Sequence, residues 1–292
     1  MDAHAAAATR SQKSRPPFAR RAFASVLNPK HLLSFATSPG ERQRVRNHFH
    51  WSGLPGRPIA NFGDALGPWV LDRLGVKHRS TEACDADLVT AGSILHHLPR
   101  RWNGAVIGSG ELYGKARDLS CADVYALRGH LTEGLMGLPN KVPLGDPGLL
   151  VPLWVPTPPA KYALGVIPHW SDKELGRKYS YGHVIDVQRP VGDVLNEIAL
   201  CKRVVSSSLH GVIVADAFGI PRRAELPPSA LTNKFEGGQF KWMDYQSIHR
   251  DPWPHFGEFW TAPRDSVKKH QAQIRGAFWT AGIGYKPAGR EA

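Results

Sequence analysis

Short apolar runs that end in glycine or a polar residue recur on both sides of a proline-rich stretch, and this alternation restricts the fold more than any other feature of the chain. Before the stretch stand Asp87 to Ala91, Ala105 to Gly108 and Val124 to Leu127; after it come Tyr162 to Pro168, His183 to Val187 and Lys202 to Ser206. Runs this short, bounded by turn signals, read as buried strands of parallel sheets. Val76 to Arg79 and Arg222 to Leu226 are further short strands. The stretch itself, Val151 to Pro159, has four prolines in nine residues and is the strongest linker signal in the sequence. With 292 residues, the chain has room for about two domains of ~150 residues. The expected organisation is a basic arm at 1–46, an α/β domain at 47–151, a hinge at 152–161, a second α/β domain at 162–262 and a C-terminal helix at 263–292. The fold class is α/β, with two Rossmann-like domains facing a cleft.

Helical spacing supports the same division. Leu66, Trp69, Val70 and Leu74 mark one helix, with Pro68 tolerable only near its start. Val191, Val194, Leu195, Ile198 and Ala199 give an amphipathic helix. Gly211 to Phe218 reads as a helix buried on most sides, and Val267, Gln271, Ile274, Phe278 and Ala281 form one face of the terminal helix. The segment from Pro227 to Trp260 reads as irregular.

Composition excludes several classes. Hydrophobic residues at 42% and charged residues at 21% are not those of a disordered or fibrous chain. Three scattered cysteines with no CxxC pair write neither a disulfide framework nor a cysteine-rich zinc site, and no other metal-ligand spacing occurs. The net charge is +12, but residues 1–46 hold nine basic and two acidic side chains and so carry +7 of it. That segment reads as a flexible or partly helical arm, either a solvated tail or an anchor for an anionic membrane surface, and not as a nucleic-acid-reading face. No run approaches the ~20 apolar residues that span a bilayer, and no secretory signal is evident. A cytoplasmic location is expected, with peripheral attachment to the inner face of the plasma membrane as the arm's contribution.

The stretch richest in chemistry is Val204 to Ile213, where an apolar strand runs into Ser206, Ser207, Ser208, Leu209, His210 and Gly211 before a hydrophobic helix. Hydroxyls and free N–H groups at a helix N-terminus make an anion site. The bland alternative is a set of helix-capping serines beside a structural histidine.

The run VVSSSLHGVIVADAFGIP, Val204 to Pro221, resembles the signature of the polysaccharide pyruvyl transferases. Matching pieces occur in order at Asn61-Phe62-Gly63-Asp64, Gly108-Ser109-Gly110, Leu127-Arg128-Gly129, Gly145-Asp146-Pro147-Gly148-Leu149-Leu150 and Ile167-Pro168-His169. The likeness runs from about Asn61 to Tyr245 and is strongest to the xanthan- and succinoglycan-type ketal pyruvyl transferases. Ser208 stands where many members have arginine, as in the xanthan-type branch. The resemblance implies a glycosyltransferase-B-like architecture, phosphoenolpyruvate as donor substrate with no further cofactor, and a lipid-linked oligosaccharide or polysaccharide acceptor. The alternatives are a sugar-nucleotide glycosyltransferase of the same architecture and, from another class, a basic nucleic-acid-binding protein.

Residue types then suggest roles. Arg128 is the candidate fork for the donor's carboxylate or phosphate. Ser206, Ser207, Ser208, Leu209 and Gly211 form the expected donor loop. His210 is the leading acid/base, and His169 at a strand end is either a donor contact or structural. Asp64 would orient or deprotonate an acceptor hydroxyl, or merely cap a helix. Asp146 reads as a turn-former or, less simply, a ligand contact. Asn61, Lys241 and Trp242 are candidate acceptor contacts, the last two having the composition of a carbohydrate platform or of ordinary packing.

Overall fold

The computed structural model describes residues 44–283 except 55, 228–237 and 252. All but the last three residues of the basic arm therefore lie outside the described residues. Five parallel strands make the first sheet: Arg46–Phe49 (β1), His78–Ser80 (β4), Leu88–Val89 (β5), Ala105–Ser109 (β6) and Asp123–Leu127 (β7). A small hairpin, Gly53–Leu54 (β2) with Arg57–Pro58 (β3), follows β1. The second sheet holds Gly165–Ile167 (β8), His183–Val184 (β9), Val204–Ser206 (β10), Arg222–Ala224 (β11) and Phe259–Trp260 (β12). Of these only β12 runs antiparallel. The chain is thus α/β with two parallel-dominated sheets, and β5, β6, β8 and β10 are buried along their whole length, as continuous apolar runs require.

Strand order decides where ligands go. In space the first sheet runs β4-β1-β5-β6-β7 and the second β12-β11-β10-β8-β9. Numbered by chain order within each sheet, both read 2-1-3-4-5. The order reverses beside β1 in one and beside β8 in the other. Open parallel sheets bind ligands at such switch points, outside the carboxyl ends of the strands. The segments in question are those after β1, β5, β8 and β10.

Three helices carry most of the packing between these segments. Phe62–Arg73 (α1) is capped by Asn61, whose side chain accepts the Gly63 N–H at 3.3 Å. It runs on through Pro68 instead of having the proline only near its start. Pro68 has no N–H for the Asp64 carbonyl, but the helix buries Phe62, Leu66, Val70 and Leu71, which offsets the missing bond. His130–Met136 (α2) and Lys173–Lys178 (α3) are short. Val191–Ala199 (α4) matches its amphipathic pattern and buries Val194, Leu195, Ile198 and Ala199. Leu209–Phe218 (α5) buries every residue from Leu209 to Asp216 and ends on Gly219 in the left-handed region.

The segment expected to be irregular contains a helix, Phe240–Gln246 (α6), and strand β12. Seven residues are too few to show a periodicity, and α6 is fixed by burying Trp242 and Tyr245. Arg264–Thr280 (α7) returns to pack on the first sheet at β6 and β7. The beginning of the proline-rich stretch is a 3-10 helix, Pro147–Leu153, whose residues 147–151 are buried against α1, α5 and α7. One apolar cluster joins Phe62 and Leu66 to Val187, Val194, Val214 and Phe278. No helix among the described residues is long and apolar enough to cross a membrane.

Candidate active site

His210 is the second residue of α5, and the loop before it is tied down by its own serines. Ser206 Oγ accepts the Ser208 N–H at 3.0 Å and lies within donating distance of the carbonyls of Ile167, 3.0 Å, and Ser208, 2.9 Å. Ser207 Oγ accepts the His169 N–H at 2.9 Å. These two hydroxyls are buried and spent on joining β10 to β8. They shape the loop that leads into α5. Leu209 joins the apolar core, and Gly211 is required because a Cβ there would lie 2.4 Å from Ser206 Oγ. Ser208 is the N-cap residue, with no capping bond from its side chain.

The imidazole of His210 is 8% exposed and is packed between the two halves of the chain. On one side it lies against Gly63 of α1, where an added Cβ would fall 2.4 Å from Nδ1. On the other, Nε2 stands 3.7 Å from Asp146 Oδ2. Neither of those two buried atoms has a hydrogen-bond partner. Asp146 is wholly buried and caps the 3-10 helix, its Oδ1 accepting the Gly148 N–H at 2.8 Å. Gly145 before it has φ +139, and a Cβ on Gly148 would press on Leu66. The GDPG motif is therefore the backbone geometry that aims one carboxylate oxygen at His210.

Asp64 sits in the first turn of α1, one residue beyond Gly63, and is half-buried. Asn61 Nδ2 donates to its Oδ2 at 2.5 Å, so Asn61 both caps the helix and holds Asp64. Burial raises the Asp64 carboxyl to about 6, opposed by the Asn61 hydrogen bond and the Lys241 charge. Asp146 is raised to about 6, chiefly by burial, against the Gly148 N–H and the charge of Arg128. His210 is lowered to about 3 by burial first, then by the charges of Arg128, Lys241 and His169. The arrangement is a neutral imidazole facing the Asp146 carboxyl and lying against Gly63, the residue before Asp64, and both carboxyls hold their protons unusually late. Lys241 bears electrostatically on both His210 and Asp64, which places it at this site.

Arg128 occupies a different place from that expected of a donor clamp. It is completely buried, and all three guanidinium nitrogens have partners within the protein. Nε donates to Asp244 Oδ2 at 2.9 Å, Nη2 to the Glu111 carbonyl at 2.8 Å and Nη1 to Ser93 Oγ. Asp244 also accepts from Thr132, at 2.7 Å from both N–H and Oγ1. Two motif glycines make this possible: a Cβ on Gly110 would strike the guanidinium at 2.3 Å, and one on Gly129 would fall 1.8 Å from the Asp244 carbonyl oxygen. Asp244 is thus a residue that sequence reasoning passed over, although it stands inside the KWMDY run.

Trp242 is corrected more simply. It is 2% exposed, packs edge-on against Phe256 at 5.7 Å and offers no face to a sugar. The half-buried aromatics at the switch points are Trp51, after β1, and Trp170, after β8, whose rings stack at 6.0 Å with 26° between planes. Trp170 is bonded in sequence to His169, the latter being one of the groups that depress the His210 pKa. Neither tryptophan lies in a motif, so no local pattern marked them.

Among the described residues no group of three or more His, Cys, Asp or Glu side chains is placed to hold a metal ion. A sequence model of the polysaccharide pyruvyl transferase family matches residues 104–224, which include β6, Arg128, Asp146, His169 and His210. The succinoglycan biosynthesis protein ExoV of Rhizobium meliloti (strain 1021) is 29% identical over 248 residues, covering 79% of this chain and 72% of that protein. An uncharacterized protein of Acanthamoeba polyphaga mimivirus is 31% identical over 193 residues, covering 59% of this chain and 60% of that one. No solved structure matches. The ordered motifs assemble around one buried histidine, and the similarity to the polysaccharide pyruvyl transferase family model and to the succinoglycan biosynthesis protein lies across them.

Proposed function

We propose that the protein transfers the pyruvyl group of phosphoenolpyruvate to a saccharide of a polysaccharide repeat, forming a ketal and releasing phosphate. The observation that carries this reading is the assembly of the motifs around His210, whose ring lies against Gly63, next to Asp64, and whose Nε2 stands 3.7 Å from Asp146 Oδ2, with burial lowering the His210 pKa and raising that of Asp64. Paired groups whose environments push their pKa values apart have assigned acid and base roles. The assignment reverses the sequence expectation: neutral His210 is the base for the acceptor hydroxyl, and Asp64 is the acid for the enol CH2. Lys241 and the N-terminus of α5 supply positive potential for the donor's phosphate and carboxylate. A bound trianion beside His210 favours its protonated form, so the base strengthens when donor is present.

Proton accounting is consistent with those roles. Asp64 gives its proton to the CH2 carbon as the first hydroxyl attacks C2 and His210 takes the hydroxyl proton. The C2–O bond to phosphate then breaks and the second hydroxyl attacks C2. Of the two hydroxyl protons, one replaces that spent on the new methyl and the other leaves with phosphate.

The test is to incubate the protein with phosphoenolpyruvate and lipid-linked oligosaccharides, following phosphate release and acceptor mass. A gain of the pyruvyl ketal mass supports the reading. Stabilisation by nucleotide sugars but not by phosphoenolpyruvate would replace it with glycosyl transfer. The pH profile is a second check. Asp64 must be protonated to act, so kcat/KM should fall as pH rises above about 6. Asp64→Asn should remove that limb and cost about 10²- to 10⁴-fold in kcat. A profile flat from pH 5 to 8 in the unaltered protein would remove Asp64 from the acid's role.

Trp51 and Trp170 are the proposed acceptor surface in place of Trp242. Their apolar faces suit the C–H face of a pyranose ring at the carboxyl ends of β1 and β8. Trp170→Ala should raise the acceptor KM roughly tenfold, as expected for losing about 1.4 kcal/mol of contact, with the donor KM unchanged. An unchanged acceptor KM would place the sugar elsewhere.

A further inference from the structure

His210 and Asp146 face each other through two atoms that have no other partner, and this fixes more than proximity. We infer that Asp146 is a positioning residue that holds the His210 proton on Nε2, leaving Nδ1 as the nitrogen that receives the acceptor's proton. The activity side of this assignment rests on the pyruvyl-transfer reading; the tautomer does not.

Asp146 cannot turn freely, because Oδ1 is held by the Gly148 N–H at 2.8 Å and the side chain is wholly buried. Its Oδ2 therefore points at Nε2 across 3.7 Å, with no hydrogen bond to either atom. A bare nitrogen lone pair facing a carboxylate oxygen in this poorly solvated place is repulsive, whereas an N–H there is attracted. Nε2 is also closed to any substrate, since the group in front of it is Asp146. Nδ1 is different: it lies against Gly63, beside Asp64, and only a residue without a Cβ leaves that edge clear. The other groups around the pair are Arg128 and Asp244 on the Asp146 side and Lys241 and His169 on the His210 side, with Tyr245 also bearing on Asp146. The absence of a Cβ at Gly63 and the carboxylate of Asp146 are thus two halves of one arrangement.

In the transfer step the oxygen–hydrogen bond of the acceptor breaks as its oxygen bonds to C2, and the proton goes to Nδ1. The imidazolium so formed is stabilised by the Asp146 carboxylate at Nε2–H. The proton then passes to the phosphate oxygen as the C2–O bond to phosphate breaks, returning His210 to its neutral Nε2–H form.

The experiment uses full-length protein labelled with ¹⁵N-histidine, with His210 assigned by comparison with His210→Gln. At pH 7.5 the expected result is a proton-bearing Nε2 and a bare Nδ1. Asp146→Asn keeps the size and the acceptor for the Gly148 N–H but presents an amide toward Nε2, so the proton should move to Nδ1. That variant should lose about 100-fold or more in kcat with little change in the donor KM, as seen when a triad aspartate is made asparagine. A bare Nε2 in the unaltered protein overturns the assignment whether or not the variant folds. Asp146→Asn with an unchanged tautomer or unchanged kcat overturns it as well. Absence of pyruvyl transfer in the unaltered protein, with Nε2 protonated, counts against the proposed reaction and leaves the tautomer assignment standing.

Discussion

Replacement of His210 by alanine is expected to lower pyruvyl transfer by about 10²- to 10⁴-fold, the usual contribution of a positioned acid/base, with little loss of folded protein. The second part of this expectation follows from how the ring is held. His210 makes no hydrogen bond through Nε2 and is not ion-paired at neutral pH, being neutral down to about 3. Circular dichroism and the thermal midpoint would report the fold, and phosphate release the chemistry. His210→Gln retains a polar group of similar length but cannot cycle a proton, so it should be as inactive as alanine. Activity near that of the unaltered protein in either variant would reduce the imidazole to a packing group. The carboxyl partners add a pH-dependent cost to this site. Asp64 and Asp146 bind their protons more tightly in the folded chain than in the unfolded one. The stability they lend below about pH 4 is therefore lost as pH rises through about 6. A site that is less stable when ready to react than when protonated is a common compromise between function and fold.

The extent to which the site was legible in sequence depends on the range of the interactions that make it. Helix α4 was plain because its pattern is local: Val194, Leu195 and Ile198 recur on one face and that face is what the fold buries. Strands β5, β8 and β10 were equally plain as short apolar runs, whereas β1 carries Arg46, Asn47 and His48 and shows no such run. Helix α6 was missed because its seven residues bury Trp242, Lys241 and Tyr245 together, a burial that no single-face period describes. The motif glycines were visible, but not their reasons. Gly63, Gly110 and Gly129 each clear space for a side chain or backbone more than 15 residues away in sequence, namely His210, Arg128 and Asp244. Asp146 reads from sequence as a turn-former or a ligand contact, and the structure shows the turn in Oδ1 and a second use in Oδ2. Trp51 and Trp170 meet only because β1 and β8 occupy equivalent places in two sheets of the same strand order.

Arg128 shows the same limit with the largest energetic consequence, because its partner Asp244 is 116 residues away. An arginine in a motif expected to meet an anionic donor reads naturally as a ligand for that anion; here its anionic partner is the Asp244 side chain. Arg128→Ala should therefore act first on the fold. It would leave Asp244 ionised, fully buried and held only by Thr132, and breaking a buried pair in this way costs about 3–5 kcal/mol. For a chain of 292 residues that corresponds to a fall in the thermal midpoint of roughly 5–8 °C. Asp244→Ala should be comparably damaging, since it strands the guanidinium with two neutral acceptors. The pair substituted together by apolar residues of similar volume should recover much of the loss, because an ion pair removed whole leaves no charge unpaired. Arg128→Lys tests the geometry: an ammonium cannot reach Asp244, Ser93 and the Glu111 carbonyl at once, so the midpoint should stay well below that of the unaltered protein. In that variant the donor KM should move less than the stability does, since the positive charge near Asp146 and His210 is kept. A midpoint that does not change, combined with weakened phosphoenolpyruvate binding, would return Arg128 to the donor pocket and require it to leave Asp244 when donor arrives.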